Sequence, residues 1–244
     1  MQVLSNDDTA QSLCLITRFK NERHILYEFI HHYLLEGVEF FLLIDDGSND
    51  DFYLHHEHWL KPLIESRIVK IIASNKNKNQ RQEYNLHINR LLPYHWVIMC
   101  DMDEFFFSVS KNSTIKKLLN SSLSKYNYIS IPWKLFRHHS KFQPKSVIEN
   151  NRYTHRLRID PSSPSKGYKY IVRTNAIKKL NIHKCHLKKN KKKFLRIANS
   201  HNKIIQINHY RTQSNEYLYG VKSPRGSGDG NKMKYRNYKI KITK

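Results

Sequence analysis

Twice in the first 110 residues a short apolar run stops abruptly at carboxylates. Phe40-Phe41-Leu42-Leu43-Ile44 runs into Asp45-Asp46-Gly47-Ser48-Asn49-Asp50, and Trp96-Val97-Ile98-Met99-Cys100 runs into Asp101-Met102-Asp103-Glu104. A continuous apolar run without alternation suits a strand buried on both faces, so layers must cover the sheet on either side. Ser12–Thr17 and Ile68–Ile72 read as two further strands. Helical patterns lie between them. Leu26, Phe29, Ile30, Tyr33 and Leu34 recur at spacings of three and four, with Asn21 positioned to cap that helix and Gly37 to end it in a left-handed turn. A second helix is expected near 52–65, and a third carries Tyr84, Ile88, Leu91 and Leu92 on one face. Strands alternating with helices in this way predict an α/β fold, a three-layer sandwich around a mostly parallel sheet. Ligands of such sheets collect at the carboxyl ends of the strands. The two acidic strand ends therefore mark the predicted functional face.

Charge divides the chain in two. Residues 1–150 carry 18 Lys+Arg against 17 Asp+Glu, a balance of +1, whereas residues 151–244 carry 25 against 3, a balance of +22. The first part reads as an ordinary domain, and the second has a field that attracts phosphates, nucleic acid or an anionic lipid surface. Beyond Ser113 the periodicity weakens. Ile115–Leu123 can form a helix and Tyr128–Trp133 a strand, but 137–205 is basic and irregular, and Lys188–Lys193 reads as a solvated loop.

Three widely separated cysteines, Cys14, Cys100 and Cys185, argue against a disulfide framework. The N-terminus lacks the basic start and apolar stretch of a signal peptide, and no window approaches the roughly 18 apolar residues that cross a bilayer. A cytoplasmic protein is expected, free or docked on a membrane surface.

Asp101 and Asp103 flank one residue directly after a buried strand, which sets two hard oxygen donors at a strand end. That suits Mn²⁺ or Mg²⁺, ions that can share diphosphate oxygens. A plain acidic surface turn would show the same tripeptide, and what distinguishes this one is its position downstream of a second acidic strand end. His183-Lys184-Cys185-His186 holds three zinc-type donors but lacks an evident fourth.

Several motifs in order resemble one enzyme group. Lys20-Asn21-Glu22, the helix through Tyr33, Gly37-Val38 and Ile44–Asp50 resemble the opening of glycosyltransferases with the Rossmann-like GT-A fold, most closely the glycosyltransferase 2-like and family 92 group. The resemblance continues through Gln80-Arg81-Gln82, Trp96 and Asp101–Phe106, and ends with Asn208–Ser214 and Lys222-Ser223-Pro224-Arg225-Gly226. It implies one domain over 1–226, with 12–110 as the nucleotide-binding half, 111–226 as the acceptor-side half, and 227–244 as a basic tail.

The resemblance also implies roles. Thr17, Arg18, Lys20 and Glu22 would line the nucleotide pocket with Gln82, and Asp45 or Asp46 would accept hydrogen bonds from base or ribose. Asp101 and Asp103 would bind the metal, Asp101 partly through the ribose or a water, with His209 closing on the metal or the diphosphate. Lys222, Arg225, Lys169 and Arg173 would reach the donor phosphates. An inverting transferase needs a carboxylate base at its acceptor, and the candidates are Glu104 and Glu149. Where the family pattern after Trp133 has Phe-Gly, this chain reads Phe136-Arg137, so the acceptor side is either narrower or shaped for an anion.

The implied reaction is sugar transfer from a nucleoside-diphosphate donor, a uridine diphosphate sugar in the first instance, to a hydroxyl on a glycan or lipid-linked glycan. Two other readings use the same features differently. A metal-dependent nucleotidyl or phosphoryl transferase could use the same carboxylates, and a nucleic-acid-binding protein could use the basic half and its tyrosines. A nucleic-acid binder has no need of two acidic strand ends, and no helix-turn-helix, zinc-finger or RNA-recognition signature is present.

Overall fold

The computed structural model of the chain describes residues 11–137, 140–150, 153–155, 167–197 and 204–223. The predicted phosphate contact Arg225 and the tail 227–244 lie outside the described residues.

The first half follows the sequence pattern closely. Its elements are β1 (Leu13–Phe19), α1 (Arg23–Leu35), β2 (Phe40–Asp45), α2 (Phe52–Glu65), β3 (Val69–Ala73), α3 (Gln80–Leu86), α4 (Ile88–Leu91) and β4 (Trp96–Met99). The second half contains β5 (Glu104–Ser108), α5 (Ile115–Asn120), β6 (Tyr128–Arg137), α6 (Val147–Asn150), β7 (Tyr153–His155), β8 (Tyr168–Arg173), β9 (Ile177–Lys179), β10 (His186–Leu187), β11 (Phe194–Arg196), β12 (Ile205–His209) and α7 (Asn215–Tyr217).

One large sheet runs β3-β2-β1-β4-β8-β6-β12-β5, with β7 and β11 also paired to β6. β3, β2, β1 and β4 are parallel to one another. β8 runs antiparallel between β4 and β6, and β12 is parallel to β6 but antiparallel to β5. Side chains alternate across each strand. Leu13 and Leu15 therefore pack on one face, against Ile25, Leu26, Phe29, Ile30 and Tyr33 of α1. Cys14 and Ile16 pack on the other, against Tyr84 and Leu91 of α3 and α4 and Ile177 and Leu180 beside the small β9–β10 sheet. The two core clusters are the two seams of a three-layer sandwich.

Two local expectations came out differently. Asn21 does not cap α1. It sits at φ 50°, its amide donates to Ser48 Oγ (2.9 Å), and its Oδ1 accepts from the Asn49 amide (2.8 Å). The cap comes from across the sheet, because Asp50 Oδ2 accepts from the Arg23 amide at 2.8 Å. The loops leaving β1 and β2 are thereby clasped together. The predicted third helix is two short ones broken at His87. Gly37 does end α1 as expected. At φ +90° it lets its own amide reach Leu34 O and the Val38 amide reach Tyr33 O, the paired bonds of a Schellman cap.

Candidate functional site

The Asp101–Glu104 turn is held from below and behind. Tyr33 of α1, wholly buried, donates its hydroxyl to Glu104 O (2.8 Å) and accepts from the Phe106 amide (3.0 Å), which docks the start of β5. Glu104 folds its side chain back across the turn, and its Oε2 accepts from the Asp101 amide at 2.8 Å. Glu104 and Lys169 are both fully enclosed, and the Lys169 ammonium lies 2.8 Å from Asp101 Oδ2 and 3.4 Å from Glu104 Oε2. Lys169 is at the start of β8, placed here because β8 pairs with β4.

Asp103 meets the C-terminal segments. β12 pairs with β5 so that His209 stands opposite Glu104. The Tyr210 amide donates to Asp103 O, and His209 Nε2 lies 3.4 Å from Asp103 Oδ1. Lys222 Nζ contacts Asp103 Oδ2 and also donates to Arg211 O (2.7 Å). Burial opposes ionisation of Asp103, but Lys222 and His209 outweigh it and hold the carboxyl well below the usual range. Burial pushes Glu104 well above that range, against the pull of Lys169. Burial lowers His209, and Asp103 opposes the shift.

Donor atoms of Asp103, Glu104 and His209 all lie within 4.8 Å of one another, and all three residues are buried. Glu104 Oε1 is enclosed without a hydrogen-bond partner, as is His209 Nδ1. Two carboxylates and an imidazole clustered in this way, one carboxylate with an unpartnered oxygen, make a donor set that a hard divalent cation satisfies. The residues therefore fit Mn²⁺ or Mg²⁺. The structure adds Glu104 to the cluster expected from Asp101, Asp103 and His209, and it pairs Asp101 with Lys169.

The second acidic strand end is built locally. Asp46 contacts the Arg18 guanidinium and accepts from Ser74 Oγ (2.9 Å), and its amide donates to Phe19 O. Burial raises the Asp46 carboxyl, yet Arg18 and Ser74 bring it below its ordinary value, with Lys20 contributing from nearby. Asp45 Oδ1 accepts from the Ser48 amide at 2.9 Å. Thr17 is buried in the same strand end, with no partner for its hydroxyl. Glu22, also buried, accepts from the Tyr217 hydroxyl at 2.7 Å, which ties the loop after β1 to α7.

Other predicted residues are engaged in other contacts. Arg173 lies at the far end of β8, opposite Trp96, with its guanidinium 4.3 Å from the Trp96 ring centroid and donating to Ser124 O and Tyr126 O. Gln82 closes a capping box with Asn79 at the start of α3. Glu149 sits exposed on α6, a turn docked to α1 where Glu28 accepts from Ser146 and Val147.

Two further residues have no site role assigned from the sequence. The Trp133 ring lies 4.5 Å from that of His209 and 5.5 Å from that of His183, with its Nε1 buried and unpartnered. Gln213, at φ 51° and buried, meets His24 Nε2 through its Oε1 at 2.7 Å. Trp133 stands near the end of a predicted strand and Gln213 within the Asn208–Ser214 motif, but neither context assigns the side chain a role.

A model of glycosyltransferase family 92 matches residues 11–243. No match was found among curated protein sequences. Among solved structures, the chain is similar to GalNAc-T7 crystallised with UDP, GalNAc and Mn²⁺, with a TM-score of 0.51 and 11% identity over 84% of this chain and 44% of that one. It is also similar to TarS of S. aureus, with a TM-score of 0.47 and 12% identity over 84% of this chain and 38% of that one. The chain thus spans less than half the length of either. The fold is GT-A.

Proposed function

Because the chain belongs to glycosyltransferase family 92, we propose that it moves a sugar from a nucleoside-diphosphate donor, a uridine diphosphate sugar, to a hydroxyl on a glycan or lipid-linked glycan, with inversion. The observation that carries this reading is the meeting at one sheet end of a buried Asp103–Glu104–His209 cluster with a second carboxylate site at Asp46. GalNAc-T7, similar at a TM-score of 0.51, is described with UDP, GalNAc and Mn²⁺, and that supports the donor class and the metal.

In this reading Asp46, oriented by Arg18 and Ser74, accepts hydrogen bonds from the nucleoside, and Thr17 and Lys20 line its pocket. Asp101, Asp103 and His209 hold Mn²⁺ or Mg²⁺, with Glu104 beside them. When bound, the metal supplies Lewis-acid stabilisation of the leaving diphosphate. Lys222, already against Asp103, contributes positive charge to the same oxygens, and the sequence assigns Arg225 the same task. Of the two carboxylates considered for the acceptor base, Glu149 is open to solvent while Glu104 is enclosed against Lys169. Trp133 excludes water beside His209.

The exposed cations of 178–196, among them Lys179, Lys188 and Lys192, lie in a stretch from 167 to 215 without a single Asp or Glu. We assign to them peripheral attachment to an anionic membrane surface. No helix among the described residues is long and apolar enough to cross one.

Thermal stabilisation by UDP, GDP and dTDP sugars, with and without Mn²⁺, tests the proposal alongside a salt titration of DNA and RNA binding. Metal-dependent stabilisation by one nucleotide, lost in Asp103→Ala, is the expected result. Indifference to every nucleotide, together with nucleic-acid binding of steep salt dependence, would overturn it.

A further inference from the structure

Lys169 is the most enclosed cation of the site. It has no exposed side-chain surface, yet it carries an ammonium between two carboxylates. Burying such a charge is costly unless it is paired, and a strand such as β8 could carry an apolar residue at this position as it does at Ile171 and Val172. The two contacts are unequal in kind. Asp101 is about one-third exposed and its Oδ2 is taken by the ammonium at 2.8 Å, while Glu104 is wholly enclosed and its Oε2 is shared between the ammonium and the Asp101 amide. One oxygen of each carboxylate is thereby committed to the protein. The other oxygen of Glu104 is left without a hydrogen-bond partner, and Glu104 clusters with Asp103 and His209.

We propose that Lys169 is a positioning residue for the metal site. It anchors one oxygen of Asp101 and one of Glu104, and so fixes the orientation in which the acidic turn meets a divalent cation. This assigns it a different task from Lys222, which is partly exposed and holds Asp103 Oδ2 while donating to Arg211 O. The inference rests on the reading of Asp103 and its neighbours as a metal site. It goes beyond that reading in naming the residue that holds their geometry.

The test is Mn²⁺ binding to the full chain without nucleotide, read from loss of the free-ion electron paramagnetic resonance signal, with melting temperature measured in parallel. The proteins are wild type, Asp103→Asn, Lys169→Met, Glu104→Gln and the Lys169→Met/Glu104→Gln pair. Removing the partner that orients a metal ligand weakens affinity by about 10- to 100-fold, and that is the expected change in Lys169→Met. The pair relieves the uncompensated buried carboxylate, so its melting temperature recovers toward wild type and keeps the test open if Lys169→Met alone folds poorly. Its Mn²⁺ affinity is expected to stay at least about tenfold below that of Glu104→Gln alone, since Asp101 has still lost its anchor. If the pair binds Mn²⁺ as tightly as Glu104→Gln, Lys169 merely offsets buried charge and the inference falls. The same holds if Lys169→Met binds Mn²⁺ like wild type while Asp103→Asn does not. Unchanged binding in Asp103→Asn removes the metal site itself, and the inference with it.

Discussion

Asp46 and Asp103 lie at the same end of one sheet, each with a cation against it, yet the cations come from very different places. Arg18 and Ser74 are both 28 residues from Asp46, in the two successive strand-helix-strand units that share β2. Lys222 is 119 residues from Asp103, and Lys169 is 68 from Asp101. The Asp46 site is therefore complete within the first half of the chain. The Asp101–Asp103 site consists of first-half acids neutralised by second-half bases. The lopsided charge of the sequence takes on meaning here: the basic half supplies counter-cations to an acidic turn it does not contain.

The sharpest way to break the comparison is to remove one carboxylate from each site. Asp103→Asn is expected to lower turnover by at least about 10²-fold, the scale of a single preorganised electrostatic contact, and to abolish Mn²⁺-dependent stabilisation. Asp46→Asn should instead raise the donor KM about tenfold, roughly the 1.5 kcal/mol of a hydrogen bond to a charged group, and leave Mn²⁺ binding unchanged. Steady-state kinetics of both variants over a range of Mn²⁺ decides this, and equal behaviour would erase the distinction between the sites. Removing the cations is gentler. Lys222→Met should tighten Mn²⁺ binding to the free protein by about two- to fivefold, because a partly exposed ion pair contributes about 1 kcal/mol or less, while the donor KM rises. Arg18→Met should leave free Mn²⁺ binding alone, as calorimetry can establish.

The smallest effect belongs wholly to the first half. His56 Nε2 donates to Arg23 O at 2.8 Å, and its Nδ1 accepts from Trp59 Nε1 at 3.1 Å, so the fold holds the neutral ring. Burial accordingly lowers its pKa from 6.5. The unfolded chain then takes up a proton first as pH falls, so stability is full above 6.5 and declines below it until the folded form also protonates. Melting curves between about pH 7.5 and about pH 5.5 should show a decline that is smaller in His56→Gln. An unchanged slope in that variant would assign the decline to the other histidines that burial lowers, His32 and His209.

The same division governs what could be read without coordinates. β1, β2 and β4 announce themselves as apolar runs, and Asp45, Asp46, Asp101 and Asp103 are legible because a strand must end where its apolar run does. The clasp of Asn21 on Ser48 and Asn49, and the cap of Asp50 on Arg23, depend on two loops becoming neighbours, so local capping rules pointed to the wrong partner. In the second half, β8 and β12 were not discerned. β8 emerges from a basic, irregular context, and β12 alternates polar Gln206 and Asn208 with apolar Ile205 and Ile207 in a run too short to stand out. Lys169 and Arg173 looked alike as surface cations near a phosphate. Four residues apart on one strand, they lie toward opposite ends of β8, one against Asp101 and one on Trp96.

The antiparallel insertion of β8 between β4 and β6 also sets an order of assembly. A chain leaving the ribosome completes its parallel strands and the Asp101–Glu104 turn long before residue 168 emerges. During that interval β4 presents an unpaired strand edge, and two carboxylates await their ammonium. Parallel units that depend on such distant partners close slowly and expose their edges meanwhile. Synthesis halted between β6 and β8 would therefore leave a half-built sheet in search of a neighbour.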